Sequence, residues 1–314
     1  MDKEGFILWK EKNGKGESAK AKEGVTRVKK IGFTLPINYL TDNASSPSDL
    51  LWIEMFPTVP ACLAYLGDQG VRSIEINELT DTIKPELVSD AIAVILDAGL
   101  QVTLHGWLPM DTSPGEVPEL FVAPERALRD RNITQAIPVT LHGHHVIEPL
   151  DQDQATAMTV RDLGNVVSSF ADRRSLFIPT LEICRAKKGG PVGVTYDEVV
   201  DIADKVGRAP LGLCWDVGHS QVNYRNDVHP PFAHSEFARR AIHTHIHDIM
   251  PDGRTHGPLL KTEGYIKQCL DILRENGYQG AYNLELYPIR WPGTTQDRKD
   301  ALTSSIKNLS IMLD

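Results

Sequence analysis

The chain has 314 residues, of which 33 are Lys or Arg and 42 are Asp or Glu, so its formal net charge is −9. This acidic balance argues against a general electrostatic grip on nucleic acid, which needs a basic surface, so we do not expect a nucleic-acid partner. An apolar share of 41% and a charged share of 24% are ordinary for a soluble globular protein with a core of full size.

The cysteines and the hydropathy pattern predict a cytoplasmic protein. No C-x-x-C spacing links the four cysteines Cys62, Cys184, Cys214 and Cys269. Scattered cysteines are typical of a reducing compartment rather than of a disulfide framework. No apolar run reaches about 18 residues, so we predict no membrane-spanning helix. The first 30 residues are rich in Lys and lack an apolar segment before a cleavage site, so we interpret them as a polar N-terminal arm.

From residue 31 onward, short β-type segments alternate with helix-patterned segments. Eight strands are predicted at Ile31–Pro36, Arg72–Leu79, Gln101–Trp107, Pro138–His144, Leu176–Cys184, Leu211–Val217, Ile242–Ile249 and Tyr282–Tyr287. Helices are predicted at Glu86–Asp97, Asp153–Phe170, Tyr196–Val206, Gly264–Asn276 and Thr295–Met312. Eight such βαβ repeats favour a closed (β/α)8 TIM barrel over an open sheet. We predict a single barrel domain over residues 31–314.

The connecting loops differ in length at the two ends of this barrel. Helix-to-strand turns are brief and marked by glycines such as Gly70 and Gly99. Strand-to-helix loops are long and rich in Pro, Gly, His and Asp, as in Leu108–Glu119, Ala186–Thr195 and Ser220–Ser235. Because the C-terminal ends of the strands host the chemistry in this fold, we expect the functional site there.

Side-chain alternation predicts which polar residues point into the barrel. In Leu181-Glu182-Ile183 and in Leu284-Glu285-Leu286, for example, a glutamate opposes two apolar neighbours. The predicted inward set is Glu75, Asn77, His105, His142, His144, Glu182, Asp216, His245 and Glu285. Carboxylates at this density repel one another unless a cation or a proton lies among them. Carboxylate and imidazole ligands suit Mn, Mg, Co, Zn or Fe(II), so we predict one divalent metal ion.

Several of these positions also have a structural interpretation. His243 lies one step deeper, and we interpret it as a core histidine. His247 either binds substrate or caps a loop, and Glu75 either contacts substrate or supports the fold. Trp107 would pack against one face of a bound substrate or against neighbouring residues at the rim. Arg185 would grip an anionic group of the substrate or form a surface salt bridge.

Four strings on strands five to eight resemble the xylose isomerase-like barrel superfamily, which includes endonuclease IV and the ketose 3-epimerases. They are Leu181-Glu182, Trp215-Asp216-Val217-Gly218-His219, His245-Ile246-His247-Asp248 and Leu284-Glu285-Leu286. The stretch from His256 to Gly264 resembles the family's loop of the form H-x-P-L-G-x-G. The resemblance extends from Ile31 to the C-terminus.

This resemblance implies which residues bind the metal. The shared metal would be held by Glu182, Asp216, His245 and Glu285. His219 matches a second-metal ligand of the endonucleases and a substrate contact of the epimerases. His105, His142 and His256 match further endonuclease ligands, which leaves a second metal ion open. The endonuclease pairs its loop histidine with an aspartate, and that position is Arg254 here.

The resemblance and the inward residues together predict a divalent-metal-dependent isomerase or epimerase acting on a sugar or a sugar-like carbonyl compound. Proton abstraction would pass through a metal-stabilised enediolate, with Glu182, Glu285 and His142 as catalytic residues. Substrate contacts are predicted at His105, His144, His219, His247, His256, Glu75, Asn77, Trp107 and Arg185. The expected partner is a small polyhydroxylated substrate, and association into a homo-oligomer stays open.

Three other functions remain open at this stage. The first is a metal-dependent lyase or dehydratase acting on a sugar or cyclitol derivative, with His142 or His144 as the base. The second is phosphodiester cleavage at abasic DNA, which the additional histidines favour and which the net charge and Arg254 disfavour. The third is a non-catalytic metal-binding subunit. The presence of both glutamates and of several substrate-side histidines counts against that role.

Overall fold

The computed structural model describes residues 30–80, 82–108, 119–207 and 210–314. Eight parallel strands close into a barrel in chain order, and the last strand pairs with the first. Their bounds are β1 Ile31–Pro36, β2 Val71–Leu79, β3 Gln101–Trp107, β4 Ile137–His142, β5 Phe177–Glu182, β6 Gly212–Asp216, β7 Ala241–Ile246 and β8 Tyr282–Leu284. The prediction of a (β/α)8 barrel is confirmed.

Helices connect the strands on the outside of the barrel. Within the described ranges they are α1 Ile37–Leu40, α2 Pro47–Met55, α3 Val59–Asp68, α4 Pro85–Asp97, α5 Glu119–Asp130, α6 Gln152–Asp172, α7 Tyr196–Val206, α8 Val217–Arg225, α9 Ser235–Arg240, α10 Tyr265–Glu275 and α11 Thr295–Met312, with a 3-10 turn at Pro288–Arg290. Ser46, Asp151 and Thr294 begin α2, α6 and α11 with capping boxes, which satisfy backbone N–H groups of the first turn.

Several strands end earlier than predicted. Beyond their last residues, the backbone forms hydrogen bonds with a loop instead of with the neighbouring strand. Beyond β4, the carbonyl of His144 accepts a hydrogen bond from Val192 N at 3.0 Å. Beyond β8, Tyr287 N donates to His256 O at 3.1 Å. The loop predicted at Ser220–Ser235 is helical as far as Arg225, because α8 begins directly after β6.

Alternation along the strands sorts the side chains as the sequence predicts. The fully buried apolar set includes Phe33, Leu35, Ile74, Ile76, Leu104, Leu141, Leu181, Leu213 and Leu284. The polar residues between them meet across the barrel interior. Glu75 on β2 contacts His243 on β7, and His105 on β3 contacts Glu285 just after β8. These pairs join strands that are not neighbours, so the side chains point inward.

Part of the sequence interpretation lies outside the described residues. The proposed polar arm falls almost entirely on residues 1–29, and most of the loop predicted at Leu108–Glu119 falls on residues 109–118. The division into arm and barrel therefore stays a prediction. Among the described helices, none is by itself long and apolar enough to cross a membrane, and the bent pair α2 and α3 meets that test by length and composition only.

Candidate metal centre

The C-terminal ends of the strands bring carboxylates and imidazoles together at one end of the barrel. Nine residues, which we call the ligand cluster, are linked by side-chain contacts from one neighbour to the next. They are His105, His142, Glu182, Asp216, His219, His245, His247, His256 and Glu285. Each comes from the end of a strand, from helix α8 or from the loop that follows β7. The structure thus brings together all four residues predicted to bind the shared metal.

Three of these predicted ligands surround an imidazole nitrogen of the fourth, His245. Nδ1 of His245 lies 3.3 Å from Glu285 Oε2, 3.4 Å from Glu182 Oε2 and 3.9 Å from Asp216 Oδ2. All four side chains are buried. Within the described ranges, His245 Nδ1, Glu182 Oε1 and Glu285 Oε2 have no hydrogen-bond partner. A buried polar atom without a partner is costly, so these atoms fit the coordination of a divalent cation.

A second group of donors shares Asp216. Its members Asp216, His219, His247 and His256 place their ligand atoms within 4.8 Å of one another. His219 Nδ1 lies 3.0 Å from Asp216 Oδ2, and His247 Nε2 lies 3.1 Å from Asp216 Oδ1. His256 Nε2 lies 3.4 Å from Glu285 Oε2, which joins this group to the first.

A third group of donors converges on Glu182. Nε2 of His142 lies 2.9 Å from Glu182 Oε2, and Nε2 of His105 lies 3.3 Å from the same oxygen. The two imidazole nitrogens are 3.0 Å apart. His105, His142 and Glu182 therefore form a further set of three donors within 4.8 Å.

The histidines keep the carboxylates of the ligand cluster ionised. Burial raises the pKa of Glu182, but the charges of His142 and His245 outweigh burial and hold this pKa well below its usual range. Burial likewise raises the pKa of Glu285, and the charge of His245, together with the hydrogen bond from His105, more than offsets the effect. Both glutamates are therefore anionic at neutral pH and available as ligands or bases.

The histidines of the cluster differ in the direction in which their pKa values are shifted. Burial lowers the pKa of His105, but hydrogen bonds to Glu182 and Glu285 outweigh burial and raise this pKa to about 10. For His256, burial and the neighbouring charge of His247 lower the pKa to about 4. A neutral imidazole such as that of His256 has a lone pair ready for a metal or a substrate hydroxyl.

Local geometry explains the spacing of the Asp-Val-Gly-His string. Oδ1 of Asp216 accepts a hydrogen bond from His219 N at 2.6 Å, so this aspartate caps helix α8. The cap fixes the carboxylate and directs His219 back toward it. Gly218 lies against the ring of His247, where a side chain would not fit. Asp216, Gly218 and His219 of this string therefore allow α8 to lie close to the cluster.

A layer of polar residues lies beneath the ligand cluster. Glu75 is fully buried there, and its carboxylate contacts His243 and His245. Thr34 and Asn283 contact the same carboxylate from the other side. The structure thus places Glu75 under His245 rather than at the mouth of the barrel, where a substrate contact was predicted. His243 is fully buried, in line with its interpretation as a core histidine.

His144 is not brought to the ligand cluster. Its Nε2 lies 2.8 Å from Asp162 Oδ2 on helix α6, and its backbone N donates to Thr159 Oγ1 at 2.9 Å. Strand β4 has already ended at His142. Strand parity therefore no longer applies at residue 144, and the side chain turns toward the helix.

Among the remaining predicted contacts, Trp107 lies beside the cluster. Trp107 is 44% exposed, and its ring centroid lies 4.7 Å from that of His142. Asn77 Oδ1 accepts a hydrogen bond from Glu78 N at 2.6 Å. Nε of Arg185 is buried and has no hydrogen-bond partner within the described ranges.

Glu78 is a candidate functional residue that the sequence analysis did not predict. Alternation along β2 would turn it away from the barrel, but the pairing register of β2 shifts between Ile76 and Leu79, and Glu78 adopts a φ of 67°. Its Oε1 accepts a hydrogen bond from Tyr287 OH at 3.0 Å, and the Tyr287 ring packs against His256. Burial raises the pKa of Glu78. Because this register shift depends on how β2 pairs with β3, no pattern in the sequence predicts it.

Comparison with solved structures shows the same fold. L-ribulose 3-epimerase is 16% identical, with 91% of this chain and 94% of that chain covered and a TM-score of 0.58. D-allulose 3-epimerase from Methylomonas sp., in complex with D-allulose, is 14% identical over 90% of this chain and 97% of that chain, with a TM-score of 0.58. The 3-keto-D-glucoside 4-epimerase of E. coli is 17% identical over 87% and 97%, with a TM-score of 0.51.

Comparison of sequences gives the family. No curated protein matches this chain. The family model described as "Xylose isomerase-like TIM barrel" matches residues 63–309, which is most of the chain and includes every member of the ligand cluster. The resemblance inferred from the motifs is thereby confirmed, and the chain belongs to the xylose isomerase-like TIM barrel family.

Proposed function

We propose that the chain is a divalent-metal-dependent isomerase or epimerase, which moves a proton next to the carbonyl of a sugar or sugar-like compound. One observation carries the proposal. Two buried, ionised glutamates, Glu182 and Glu285, flank the Nδ1 atom of His245, and each has an oxygen without a hydrogen-bond partner in the described part of the chain. Such oxygens can accept a proton from carbon and return it.

The residues of the cluster divide the work. Glu182, Asp216, His245 and Glu285 would hold the metal. When bound, the metal supplies positive charge that polarises the substrate carbonyl and lowers the pKa of the adjacent C–H. Glu182 and Glu285 exchange the proton. His142, which is partly exposed and 2.9 Å from Glu182 Oε2, orients a substrate hydroxyl beside this carboxylate. The exposed ring of Trp107 next to His142 gives an apolar surface on which a sugar face can stack.

The shared position combines oxygen and nitrogen donors. Three of its four residues are carboxylates, Glu182, Asp216 and Glu285, and one is a histidine, His245. Carboxylate oxygens suit Mg and Mn, whereas imidazole suits Zn and Fe. We therefore propose one ion of Mn, Mg, Co, Zn or Fe(II) at this position. A second ion fits the group of Asp216, His219, His247 and His256, and metal content measured by mass spectrometry after purification would count the ions per chain.

The names of the compared structures support the substrate class. L-ribulose, D-allulose and a 3-keto-D-glucoside are all polyhydroxylated carbonyl compounds, and the three proteins are named as epimerases of these compounds. A small substrate of this kind would meet the histidines and Trp107 at the open end of the barrel. The identity of the sugar is left to experiment.

The deciding experiment is proton exchange in D2O, followed by NMR, with Mn- or Zn-loaded protein and a panel of keto-sugars, oxo-sugars and inososes. We expect metal-dependent deuterium uptake at the carbon beside the carbonyl. Chelator-treated protein and the Glu285→Gln variant serve as controls, and both should lose the exchange. Exchange accompanied by loss of water from the product would instead indicate a lyase or dehydratase. No uptake by any compound would overturn the proposal.

Phosphodiester cleavage is the second candidate, because the three donor groups could hold more than one metal ion. Paired metal ions stabilise the attacking and the leaving oxygen of a phosphodiester. Against it, Arg254 occupies the position of the endonuclease aspartate and forms an exposed salt bridge with Asp252. Incubation of the metal-loaded protein with an abasic DNA duplex tests this alternative. Lack of both cleavage and proton exchange would favour a non-catalytic metal-binding subunit.

A further inference from the structure

We propose that Glu75 is a positioning residue that fixes the tautomer of His245, so that Nε2 carries the hydrogen and Nδ1 presents its lone pair to the metal. The inference rests on the proposed metal function and assigns a task to the polar layer below the cluster. Neither Glu75 nor its partners Thr34, His243 and Asn283 would touch the metal or the substrate.

The first step is the set of contacts that Glu75 makes. Its Oε1 accepts hydrogen bonds from Thr34 Oγ1 and Asn283 Nδ2, both at 2.9 Å. Its Oε2 lies 2.7 Å from His243 Nε2. Nε2 of His245 lies 3.2 Å from Oε2 and 3.1 Å from Oε1. The carboxylate is fully buried, so these four side chains supply its hydrogen bonds.

The second step is to count hydrogens. The amide nitrogen of Asn283 only donates, and it gives its other hydrogen to Thr34 Oγ1 at 2.8 Å. The Thr34 hydroxyl therefore accepts from Asn283 and donates its own hydrogen to Glu75. An ionised carboxylate has only acceptor sites, about four in all. Each histidine nitrogen that faces it must consequently carry a hydrogen, and this applies to Nε2 of both His243 and His245.

The third step concerns the opposite side of the His245 ring. With the hydrogen held on Nε2, the nitrogen free to bind a cation is Nδ1. That atom has no hydrogen-bond partner in the described residues and lies among the oxygens of Glu182, Glu285 and Asp216. A carboxylate behind a metal-binding histidine sets the ring orientation and increases the basicity of the ligand, and its loss commonly weakens metal binding by about 10–100-fold.

The test compares Glu75→Gln with Thr34→Val. In Glu75→Gln, the side chain loses its charge and one of its two oxygens becomes an NH2 donor, so too few acceptor sites remain for the hydrogens of Thr34, Asn283, His243 and His245. We expect the affinity for Zn, measured by competition with a chelator, to fall by about 10–100-fold. Thr34→Val removes a hydrogen bond from the same buried carboxylate but leaves His245 untouched, so its affinity should stay within about threefold of the parent. Equal affinity for Zn in Glu75→Gln and the parent would overturn the proposal.

A measurement on the unaltered protein covers the case in which Glu75→Gln does not fold. Histidine ¹⁵N NMR of the Zn-loaded chain should show a hydrogen on Nε2 of His245 and a metal-bound Nδ1, with His245→Asn used to assign the signals. A metal-bound Nε2 would refute the assignment. If the parent binds no metal at all, the proposed function fails as well. If the parent binds metal and Glu75→Gln binds it equally well, only the role of Glu75 fails.

Discussion

Gly218 lies directly against the imidazole of His247, and a Cβ at position 218 would stand 2.0 Å from both Cε1 and Nδ1 of that ring. The ring cannot easily yield, because its two nitrogens are already engaged. His247 Nδ1 accepts a hydrogen bond from His256 N at 3.0 Å, and Nε2 contacts Asp216. The glycine therefore permits the close approach of α8 to the second donor group.

Substitution Gly218→Ala is expected to displace the His247 ring and to lower the free energy of unfolding by about 1–3 kcal/mol, as overpacking does in buried sites. Urea denaturation measures this change. The matched control is Gly164→Ala on helix α6, where a new Cβ would meet nothing within 4 Å. Alanine there should stabilise the helix by about 0.5–1 kcal/mol. Equal stability of the two variants would contradict the steric interpretation.

Substitution Glu182→Gln removes one charge from a position that contacts His142, His219 and His245. We expect metal affinity to fall at least about tenfold and metal-dependent proton exchange to fall by about 10²–10⁴-fold, because a base is lost together with a ligand. Isothermal titration and the D2O assay measure the two effects. The exposed Glu275 at the end of α10 provides the control, since Glu275→Gln should change neither quantity. Full exchange activity in Glu182→Gln would exclude it as the base.

Removal of the metal should destabilise the barrel, because Glu182, Asp216 and Glu285 then crowd together with fewer positive charges among them. At a free metal concentration of about 100 times Kd, binding contributes about 2.7 kcal/mol, which corresponds to a rise in Tm of about 5–10 °C. Differential scanning calorimetry of chelated and Zn- or Mn-loaded samples measures this difference. An unchanged Tm on saturation would show that the ion binds weakly or elsewhere.

Metal affinity is expected to rise with pH. Burial lowers the pKa of His219, but the attraction of Asp216 outweighs burial and raises this pKa to about 10. The pKa of His245 is also held well above its usual value, because neighbouring groups that include Glu75 and Glu285 outweigh burial. Both rings are thus protonated at neutral pH in the metal-free barrel, and a cation must displace the proton from each ring that it binds. Affinity should rise about tenfold per pH unit for each proton released.

The proton count behind this pH dependence can be measured directly. Calorimetric titrations of Zn between pH 6 and pH 8, in buffers with different ionisation enthalpies, report the number of protons released per metal ion. An affinity that is constant or falls over this range would contradict the assigned charges of His219 and His245.

The contact between His144 and Asp162 is expected to support the loop that follows β4. Asp162 is fully buried and faces both His144 and Arg161. Asp162→Ala leaves these partners without their carboxylate, and we expect a loss of about 3–5 kcal/mol in the free energy of unfolding. Chemical denaturation measures it, with Asp172→Ala at the exposed end of the same helix as the control. A loss below 1 kcal/mol would show that the carboxylate is dispensable.

The sequence alone predicted the barrel and the core of the site, because both depend on short-range regularities. Alternation with a period of two residues separated Leu181 from Glu182 and Leu284 from Glu285, and each strand needed only its own residues for that assignment. In a parallel barrel the C-terminal ends of all strands meet on one face. Inward polar residues at those ends therefore had to converge, wherever each lay along the chain.

Only the tertiary structure decided what happens where the strand regularity ends. His144 turned to helix α6 because β4 had stopped at His142, and Glu78 turned at a shift in pairing register between neighbouring strands. Glu75 contacts Thr34, His243, His245 and Asn283, which lie on other strands up to 208 positions away. Hydrogen bonds of this kind depend on distance in space, which cannot be predicted from the separation of two residues along the chain. The sequence determined which donors reach the end of the barrel, and three-dimensional packing decided which of them belong to the ligand cluster and which support it from below.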